Sequence, residues 1–518
     1  MRARSAALLA LSATLFVADA SVTVNTADAA DPRLTVVTPR GAQRGTEVKF
    51  AFEGQRLKDA QEVLFLDPGI VVTKIEPHPK GDDRRVYVTA SIAPDARVGE
   101  HVVQLRCASG VSDLHTIWVG ALPEVAEVDP KDAPNTDPAN PQRLAADLFD
   151  EAGGVTVTGR IENEDLDHYL LNLDAGQALC VEVEGMRLAN VENNNWDPAI
   201  EVLDLEGREL AASDDTPLAD IDPILHFVAP EKGAYVLRIR DAEFKGSSRG
   251  YYRMHIGLRP DAFPRPLAVY PAGGPVGEEV AVTFLGDPAG PFEQTVVPTR
   301  GLTRDQTGRV YAERDGQPSP SPLPFRASPF PNVLEVEPNQ NRLEATPDGT
   351  ATAHLAAIKA AEEKAKADGG DANAVKKAVA AVKPETFAGV AFNGILEESG
   401  DEDWFAFAGR KGQSLRFDVF GTRIGSPIDP EIAIFQQWDG KYLKANGDRV
   451  GLDPREDYRL PADGVYAVRV TDHLKRGGPH FVYRLEISPP VRTPTLSIPR
   501  YGRYGQGRQR IVSPRGGR

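Results

Sequence analysis

The chain contains two copies of the same sequence pattern, and this duplication constrains its fold more than any other feature. Positions around residue 40 recur 232 residues later, where Pro39, Gly41, Gly45, Val48, Phe52 and Gly54 are matched by Pro271, Gly273, Gly277, Val280, Phe284 and Gly286. A second block, Asp165 to Tyr169, recurs 236 residues later as Asp401 to Phe405. A repeat this long predicts two copies of a composite unit, each with a first module followed by a second module.

Short hydrophobic runs between turn residues predict β-strands through most of the chain. Residues 48–52, 101–106 and 465–470 are rich in Val, Leu, Phe or Tyr, which alternate with other residues. Turn residues recur at intervals of roughly 8 to 12 residues, which is typical of antiparallel sandwiches. Only 2 of the 518 residues are Cys, so a disulfide scaffold is excluded and each module depends on its own core. The predicted fold class is all-β, with tandem β-sandwiches.

One segment departs from the β pattern and predicts helix. Residues 351–366 and 374–382 are rich in Ala, Lys and Glu, and Asp368-Gly369-Gly370 separates them. This composition favours helix, and the glycine pair interrupts it. We expect a small helical hairpin, residues 351–383, inserted into the second module of the second copy. Because its apolar face is mostly alanine, we expect it to pack weakly.

The N-terminus predicts an export signal. Arg2 and Arg4 precede an apolar run from Ala6 to Val17, and small-residue cleavage patterns follow at residues 18–20 and 27–29. This order is typical of a secretory signal peptide, and the run is too short to span a bilayer. We therefore predict a secreted protein, extracellular, at the cell surface or periplasmic, with no transmembrane segment in its mature part.

The second module of each copy carries a resemblance to a known family. The matching residues run from Gly159 through DLDHYLLNLDAGQAL, WDPAIEVLDLEG and GAYVLRIRD to YYRMHIG, and from Gly394 through SGDEDWFAFAGRKGQSL, IGSPIDPEIAIF and GVYAVRVTD to FVYRLEI. Both segments resemble the bacterial pre-peptidase C-terminal (PPC) domain family. The first modules look like immunoglobulin-like (IPT/TIG-type) sandwiches. The resemblance implies jelly-roll-like sandwiches that accompany secreted hydrolases and surface proteins without being catalytic themselves.

These patterns together predict the domain boundaries. The offset between copies falls to 208 residues from Glu127 to Glu335, so the first module of the second copy is about 24 residues shorter. We predict Pro-rich linkers near residues 123–142, 258–266 and 318–341. The predicted segments are a signal peptide (1–30), an Ig-like sandwich (31–122), a PPC-like sandwich (123–260), a shortened Ig-like module (261–330), a PPC-like sandwich with the helical insertion (331–490), and a C-terminal segment (491–518).

The resemblance also implies a calcium site. Relatives in the collagen-binding domains of secreted collagenases bind Ca²⁺ with an acidic linker before the sandwich and with carboxylates at the start of an early strand. The matching residues here are Glu335, Glu337, Asn339, Asp401 and Asp403. Gln340 departs from the linker pattern. The first copy departs further, because Asp129 replaces the second Glu and Lys131 stands in the position of Asn339.

The chemistry of these residues fits a structural Ca²⁺ independently of the family. Ca²⁺ takes six to eight oxygen ligands. Residues two apart in an extended segment share a face, so Asp401 with Asp403 and Glu335 with Glu337 form carboxylate pairs. Like charges this close repel each other unless a cation or solvent lies between them. The alternative is that these acids are solvated turn residues that only precede strands.

The net charge and the absence of catalytic motifs argue against several classes of function. The net charge of −16 and the pI near 5.2 argue against nucleic-acid binding. The sequence has no His-Glu-x-x-His, P-loop or Cys-x-x-Cys motif. Gly246 to Gly250 fits the Gly-x-Ser-x-Gly pattern, but a strand follows it where a nucleophile elbow needs a helix, so we predict a hairpin turn. We therefore predict no catalytic residues.

Two further features are candidates for binding. Trp438 and Tyr442 flank the Asp439-Gly440 turn, so we predict that they are exposed ligand-binding residues. Residues 491–518 contain seven Arg and no acid, which predicts either a basic tail or the first strands of an incomplete β module.

The sequence thus predicts a secreted, non-catalytic, multi-module protein for adhesion or substrate targeting, which binds an extracellular protein or a polysaccharide. The alternative is an accessory region of an exported hydrolase or peptidase whose catalytic part is absent from this chain, and that enzyme would then be its partner. A third interpretation is an unrecognised glycoside hydrolase, because carboxylates are abundant.

Overall fold

The computed structural model describes residues 31–132, 134–149, 153–188, 196–219, 221–299, 307–437 and 439–490. The predicted signal peptide, the C-terminal segment 491–518 and Trp438 lie outside these residues. Over the described ranges the chain is built of strands, with two α-helices close together in the sequence. The prediction of an all-β fold with one small helical insertion is therefore confirmed.

The first sandwich packs a four-stranded sheet and a five-stranded sheet face to face. Its sheets have the orders β1-β3-β6-β5 and β2-β9-β7-β4, and β8 pairs with β7. Alternation explains the packing: in β7, Val103, Leu105 and Cys107 are buried while the residues between them are partly exposed. The strands are β1 (Arg33–Thr38), β2 (Gly41–Gln43), β3 (Glu47–Gln55), β4 (Ala60–Phe65), β5 (Ile70–Pro77), β6 (Arg85–Ile92), β7 (Gly99–Cys107), β8 (Gly110–Val111) and β9 (His115–Gly120).

The second sandwich has two five-stranded sheets, ordered β10-β12-β19-β14-β17 and β11-β13-β18-β15-β16. Its core includes Tyr169, Leu237 and Met254, all fully buried. The strands are β10 (Glu124–Ala126), β11 (Gln142–Arg143), β12 (Gly154–Arg160), β13 (Leu166–Leu173), β14 (Ala178–Glu184), β15 (Pro198–Leu203), β16 (Glu209–Ser213), β17 (Ile224–Val228), β18 (Gly233–Asp241) and β19 (Tyr251–Gly257).

The third sandwich is smaller. It has three-stranded sheets ordered β20-β22-β23 and β21-β27-β24, and a short β25-β26 hairpin. Phe284 and Phe325 lie at the centre of its core. The strands are β20 (Ala268–Tyr270), β21 (Gly273–Pro275), β22 (Val280–Leu285), β23 (Phe292–Val296), β24 (Thr307–Val310), β25 (Glu313–Arg314), β26 (Gln317–Pro318) and β27 (Leu323–Ser328).

The fourth sandwich has the same strand order as the second, with sheets β28-β30-β37-β32-β35 and β29-β31-β36-β33-β34. In both sandwiches the chain enters through an edge strand that pairs in parallel, β10 with β12 and β28 with β30. The strands and helices are β28 (Asn332–Leu334), β29 (Thr346–Pro347), α1 (Gly349–Ala367), α2 (Ala372–Ala381), β30 (Val390–Ile395), β31 (Asp403–Gly409), β32 (Ser414–Phe420), β33 (Pro430–Gln436), β34 (Tyr442–Asn446), β35 (Arg455–Arg459), β36 (Gly464–Asp472) and β37 (Val482–Ser488).

The helical hairpin is held mainly by its first helix. The Asp348 and Asp371 side chains cap the two helices, and each accepts a backbone hydrogen bond, from Ala351 N and Ala374 N respectively, at 2.8 Å. Helix α1 buries Ala351 and His354 against the sandwich, whereas α2 has no buried residue. Among the described residues no helix is both long enough and apolar enough to cross a membrane.

The segments predicted as linkers contain paired strands and buried contacts between sandwiches. Strands β10 and β11 lie within residues 123–142 or at their end, and β28 lies within 318–341. Arg265, in the second predicted linker segment, donates to Val181 O and Leu225 O of the second sandwich at 3.2 and 3.0 Å. Arg484 of the fourth sandwich donates to Ser328 Oγ of the third at 2.9 Å. Each junction is therefore a packed interface.

Candidate metal centre

The carboxylates of the fourth sandwich meet where the linker after β28 crosses the start of β31. Glu335 N donates to Asn393 O at 3.0 Å, which extends the pairing of β28 with β30. Trp404 N then donates to Asn339 O at 3.2 Å. These two backbone bonds hold the segment 335–339 against the first residues of β31, so their acidic side chains share one space.

The structure brings the predicted acidic residues together. Carboxylate oxygens of Glu335, Glu337 and Asp403 lie within 4.8 Å of one another, and so do those of Glu397, Asp401 and Asp403. Asp403 belongs to both groups and is fully buried. Glu397 was not predicted from the sequence, because it lies in the connection before Asp401 and outside the two-residue spacing that identified the other acids.

Hydrogen bonds from neutral donors fix these carboxylates. The oxygens of Glu335 accept from Ile395 N at 2.9 and 3.1 Å, and Asp403 Oδ2 accepts from Tyr483 Oη at 2.6 Å. Asp401 Oδ2 accepts from Glu397 N at 2.8 Å. Nearby, Gln340 Nε2 donates to Glu337 Oε2 at 3.0 Å, so the residue that departs from the family pattern supports the cluster.

Several buried polar atoms at this place have no hydrogen-bond partner. They are Asp403 Oδ1 and both amide atoms of Asn339, and both residues are fully buried. A buried oxygen without a donor is costly, because it has lost water and gained nothing in exchange. Among the described residues no Lys or Arg forms an ion pair with the clustered carboxylates, and the nearby Arg469 pairs with Glu402 instead, at 3.0 Å.

Burial and mutual repulsion disfavour the ionised form of these groups. Burial, followed by the negative charge of Asp403, raises the pKa of Glu335. Burial also raises the pKa of Asp403, although the hydrogen bond from Tyr483 opposes this. The pKa of Glu397 is raised by burial and by Asp401. A bound divalent cation would remove this penalty, and the all-oxygen donor set, with free oxygens on Asp403 and Asn339, fits Ca²⁺.

Gly394 allows the close approach of these groups. A Cβ at this position would lie 2.3 Å from Tyr483 Oη and 2.6 Å from Glu335 Oε2. The same relation exists in the second sandwich, where a Cβ on Gly159 would lie 2.3 Å from Tyr252 Oη and 2.5 Å from Glu127 Oε2. Both glycines therefore leave room for a carboxylate and a phenol to lie over the backbone.

The second sandwich carries a related but different arrangement. Asp167 Oδ2 accepts from Tyr252 Oη at 2.5 Å, as Asp403 does from Tyr483. The counterpart of Asn339 is Asn135 and not Lys131, because Asn135 O accepts from His168 N at 3.3 Å. The linker is four residues longer in the second sandwich. The alignment of the two copies at a constant offset therefore placed Lys131, and not Asn135, opposite Asn339. Within the described part of this sandwich, no three carboxylates are as close together as those around Asp403.

One of the two predicted ligand-binding aromatics can be placed. Tyr442 is 58% exposed at the start of β34, and its ring packs edge-on against Phe435, with the centroids 5.7 Å apart. Phe435 in turn packs on Trp404 at 5.0 Å. These three rings form a row on the outer face of the sheet, exposed at the Tyr442 end. Trp438 lies outside the described residues.

The serine of the Gly-x-Ser-x-Gly match lies in the connection between β18 and β19. Ser247 N donates to Ile161 O at 2.9 Å, and the chain continues directly into strand β19. The segment is therefore a strand-to-strand turn, as predicted, and not a nucleophile elbow.

Comparisons with known proteins find short or distant matches. No protein-family model matches the chain. A 78-residue segment is 35% identical to a probable subtilase-type serine protease of Deinococcus radiodurans; the match covers 15% of this chain and 11% of the protease, so it spans about a tenth of that relative.

Three solved structures illustrate the structural matches. The pre-peptidase C-terminal domain of a Bacillus anthracis collagenase is 15% identical, with a TM-score of 0.17, over 20% of this chain and 90% of that one. The Aeromonas hydrophila periplasmic inhibitor of g-type lysozyme is 14% identical, with a TM-score of 0.17, over 27% and 97%. The protein SGBP-B from a Bacteroides ovatus mixed-linkage glucan utilisation locus is 12% identical, with a TM-score of 0.16, over 44% and 74%.

Proposed function

We propose that this chain is an exported, non-catalytic binding protein whose fourth sandwich is completed by a structural Ca²⁺. The observation that carries the proposal is the carboxylate cluster around Asp403, with its buried unpartnered oxygens and no cationic side chain paired to it. Glu335, Glu337, Asn339, Glu397, Asp401 and Asp403 would hold the ion. Because these residues come from the linker and from the sandwich, the ion would join the two.

The surroundings of the cluster favour a structural role over a catalytic one. Tyr270 of the third sandwich lies beside it and donates to Asn393 O at 3.2 Å. Burial, followed by the negative charge of Glu335, raises the pKa of Tyr270. A catalytic carboxylate pair needs access to a substrate. Here Asp403, which belongs to both carboxylate groups, is fully buried, and a tyrosine from the neighbouring sandwich lies beside the cluster.

The binding role is assigned to the outer face that ends at Tyr442. An exposed aromatic ring supported by a second ring can stack on a sugar or pack against a protein side chain. We propose an extracellular protein or polysaccharide as the partner. The second candidate function is an accessory region that serves an exported peptidase. The observation that supports it is the 35% identical segment in a probable serine protease.

A binding array tests this function. The purified chain should bind members of a glycan and matrix-protein array, and Tyr442→Ala should lose most of that binding. Leu66→Ala, at a 63% exposed position of the first sandwich, is the matched control and should bind like the wild type. Adding EGTA should weaken binding if Ca²⁺ orders the fourth sandwich.

Three results would contradict the proposal. Equal binding by the Tyr442→Ala variant would remove the assigned surface. Wild-type binding that EGTA leaves unchanged would argue against the role of Ca²⁺. Hydrolysis of peptide or glycan substrates by the purified chain would show that the protein is an enzyme.

A further inference from the structure

A cleft of about 580 Å³ lies between the first and second sandwiches, at the position that corresponds to the carboxylate cluster of the fourth sandwich. The residues Thr38 to Arg40, at the end of β1, form one side of it. Glu127, Asp129, Asp165 and Tyr251 contribute to the other side. The second half of the chain has a different arrangement at the matching position.

One sequence difference lies directly at this position. Thr38 precedes Pro39 as Tyr270 precedes Pro271 in the repeat. The ring of Tyr270 fills the space beside the cluster, where its hydroxyl donates to Asn393 O. Threonine is too short to fill the same space, so the first half keeps an open cleft beside its acidic residues.

The cleft carries an uncompensated negative charge. Two arginines line it, of which Arg160 pairs with Glu162 and Arg40 donates to Leu188 O at 2.6 Å. They are outnumbered by five lining acids, Glu127, Asp129, Glu162, Glu164 and Asp165. Among the described residues, no ion pair involves Glu127, Asp129 or Asp165. Like charges that share a cleft favour the binding of a cation.

Two buried oxygens lie next to the residues that line the cleft. Asp167 Oδ1 and Asn135 Oδ1 have no donor, and both residues are at most 1% exposed. The Asp167 carboxyl contacts that of Glu127, which lines the cleft, and burial raises the pKa of both groups. Two facing carboxyl groups need a proton or another cation between them.

The geometry points away from a bare metal ion. The carboxylates here are less closely gathered than those around Asp403, where three oxygens lie within 4.8 Å of one another. A primary ammonium donates three hydrogen bonds to separate acceptors, and the alkyl chain that carries it needs a lined channel. The cleft offers dispersed carboxylates at its wall and the apolar surfaces of Pro39 and Tyr251 along its length.

We propose that this cleft binds a primary ammonium group on an alkyl chain, as presented by a lysine side chain of a partner protein. The ammonium would lie against Glu127 and Asp165, and the methylene groups would pack along Pro39 and Tyr251. The cleft is separate from Tyr442 and from the carboxylate cluster of the fourth sandwich. This assignment therefore stands or fails independently of the function proposed above.

The test is a titration of the full chain with three matched peptides that carry lysine, Nε-acetyl-lysine or norleucine at one position. Isothermal titration or NMR should show binding of the lysine peptide, with affinity at least about tenfold lower for the two uncharged peptides. Two variants, Thr38→Tyr and Asp165→Asn, should each abolish binding. The first closes the cleft in the way Tyr270 does and leaves every carboxylate in place. The matched control, Glu363→Gln at an exposed position of α1 in the fourth sandwich, should bind like the wild type.

Repeating the titration with excess Ca²⁺ distinguishes the two kinds of cation. Unchanged lysine binding supports the ammonium assignment. Displacement of the peptide by Ca²⁺ would make the cleft a divalent-metal site and overturn it. Equal affinity for all three peptides, or full binding by a Thr38→Tyr variant whose melting temperature matches the wild type, would also overturn it.

Discussion

At the scale of single residues, the absence of a side chain at Gly394 decides how the linker joins the fourth sandwich. The Glu335 carboxylate and the Tyr483 hydroxyl both lie where a Cβ would be. Any side chain at this position has to displace one of them, and both hold the carboxylates around Asp403 in place.

We predict that Gly394→Ala weakens Ca²⁺ binding by at least about tenfold and destabilises the fourth sandwich by about 1–3 kcal/mol through overpacking. Wild-type protein should melt several degrees higher in Ca²⁺ than in EGTA, because a ligand that binds only the folded state stabilises it. The variant should lose most of this difference. Calorimetric titration and thermal unfolding measure both effects.

Gly349→Ala is the control, because a Cβ on Gly349 meets no atom within 4 Å. It should retain the wild-type response to Ca²⁺. A Gly394→Ala protein with wild-type Ca²⁺ affinity would show that the close approach at this glycine is unimportant for the site.

The sequence predicted most of the acidic residues of the cluster, but it missed one acid from a loop and one linker position in the second sandwich. Spacing of two residues identified Asp401 and Asp403, since alternation in a strand is a local property. It missed Glu397, which reaches the cluster through a loop. It also aligned Lys131 with Asn339, because an insertion of four residues in the linker is visible only when the backbone bond from His168 to Asn135 is seen.

At the scale of elements, the sheet face under the helical hairpin has small residues that allow a helix to pack on it. The strands below α1 have alanine at positions 406, 408 and 467, and these pack with Ala351 and Trp404. The corresponding positions of the first copy are Leu170, Asn172 and Val236. Small residues allow the helix backbone to come close, so the start of α1 packs on the sheet at Ala351 and His354.

We predict that Ala351→Glu destabilises the fourth sandwich by roughly 3 kcal/mol, because it places an unpaired charge in a fully buried position. Urea unfolding followed by circular dichroism measures the change. Ala374→Glu is the matched control in α2, where no residue is buried, and should alter the stability by less than about 0.5 kcal/mol. Equal effects of the two substitutions would mean that α1 does not pack on the sheet.

At the scale of the whole molecule, a buried ionic network lies where the first three sandwiches meet. Glu184 is paired with Arg253, whose Nη1 lies 2.6 Å from Glu184 Oε2, and Arg253 also pairs with Glu124 at 2.7 Å. Ser321 of the third sandwich donates to Glu184 at 3.5 Å. The Arg253 guanidinium also lies close to the backbone of the first sandwich, at Gly41.

We predict that this network makes the free energy of unfolding decrease at acidic pH. Burial alone would raise the pKa of Glu184, but Arg253 and His255 lower it to about 2. A folded pKa below the ordinary value of 4.5 means that the stabilisation is complete above about pH 4.5 and is lost as the pH falls towards 2. This group should contribute a loss of the order of 3 kcal/mol across that interval.

Glu184→Gln should be less stable at neutral pH and should show a flatter decline between pH 4.5 and 2, measured by urea unfolding at a series of pH values. Glu62→Gln serves as the control, since Glu62 is half-exposed and pairs with Arg106 on the surface. A Glu184→Gln profile parallel to that of the wild type would contradict the prediction.

Hydrophobic alternation was enough to predict the β architecture, because it is a local property of each strand. The repeats in the sequence predicted the composite units. The junctions were predicted as linkers and are packed interfaces. Their buried contacts join residues far apart in the chain, as Arg265 joins Val181 and Leu225, and no local pattern records such a contact. Proline content indicated where one sandwich ends, but not how firmly it meets the next.

The buried arginines at the junctions have a consequence for avidity. Arg265 and Arg484 fasten neighbouring sandwiches together, so the distance between the first-half cleft and the Tyr442 face is set by the fold. For a partner that has bound one of these surfaces, the effective concentration at the other surface depends on the spacing and the flexibility of the partner's own two epitopes. Two weak contacts could then combine into tight binding, but only for ligands whose two epitopes match that fixed spacing.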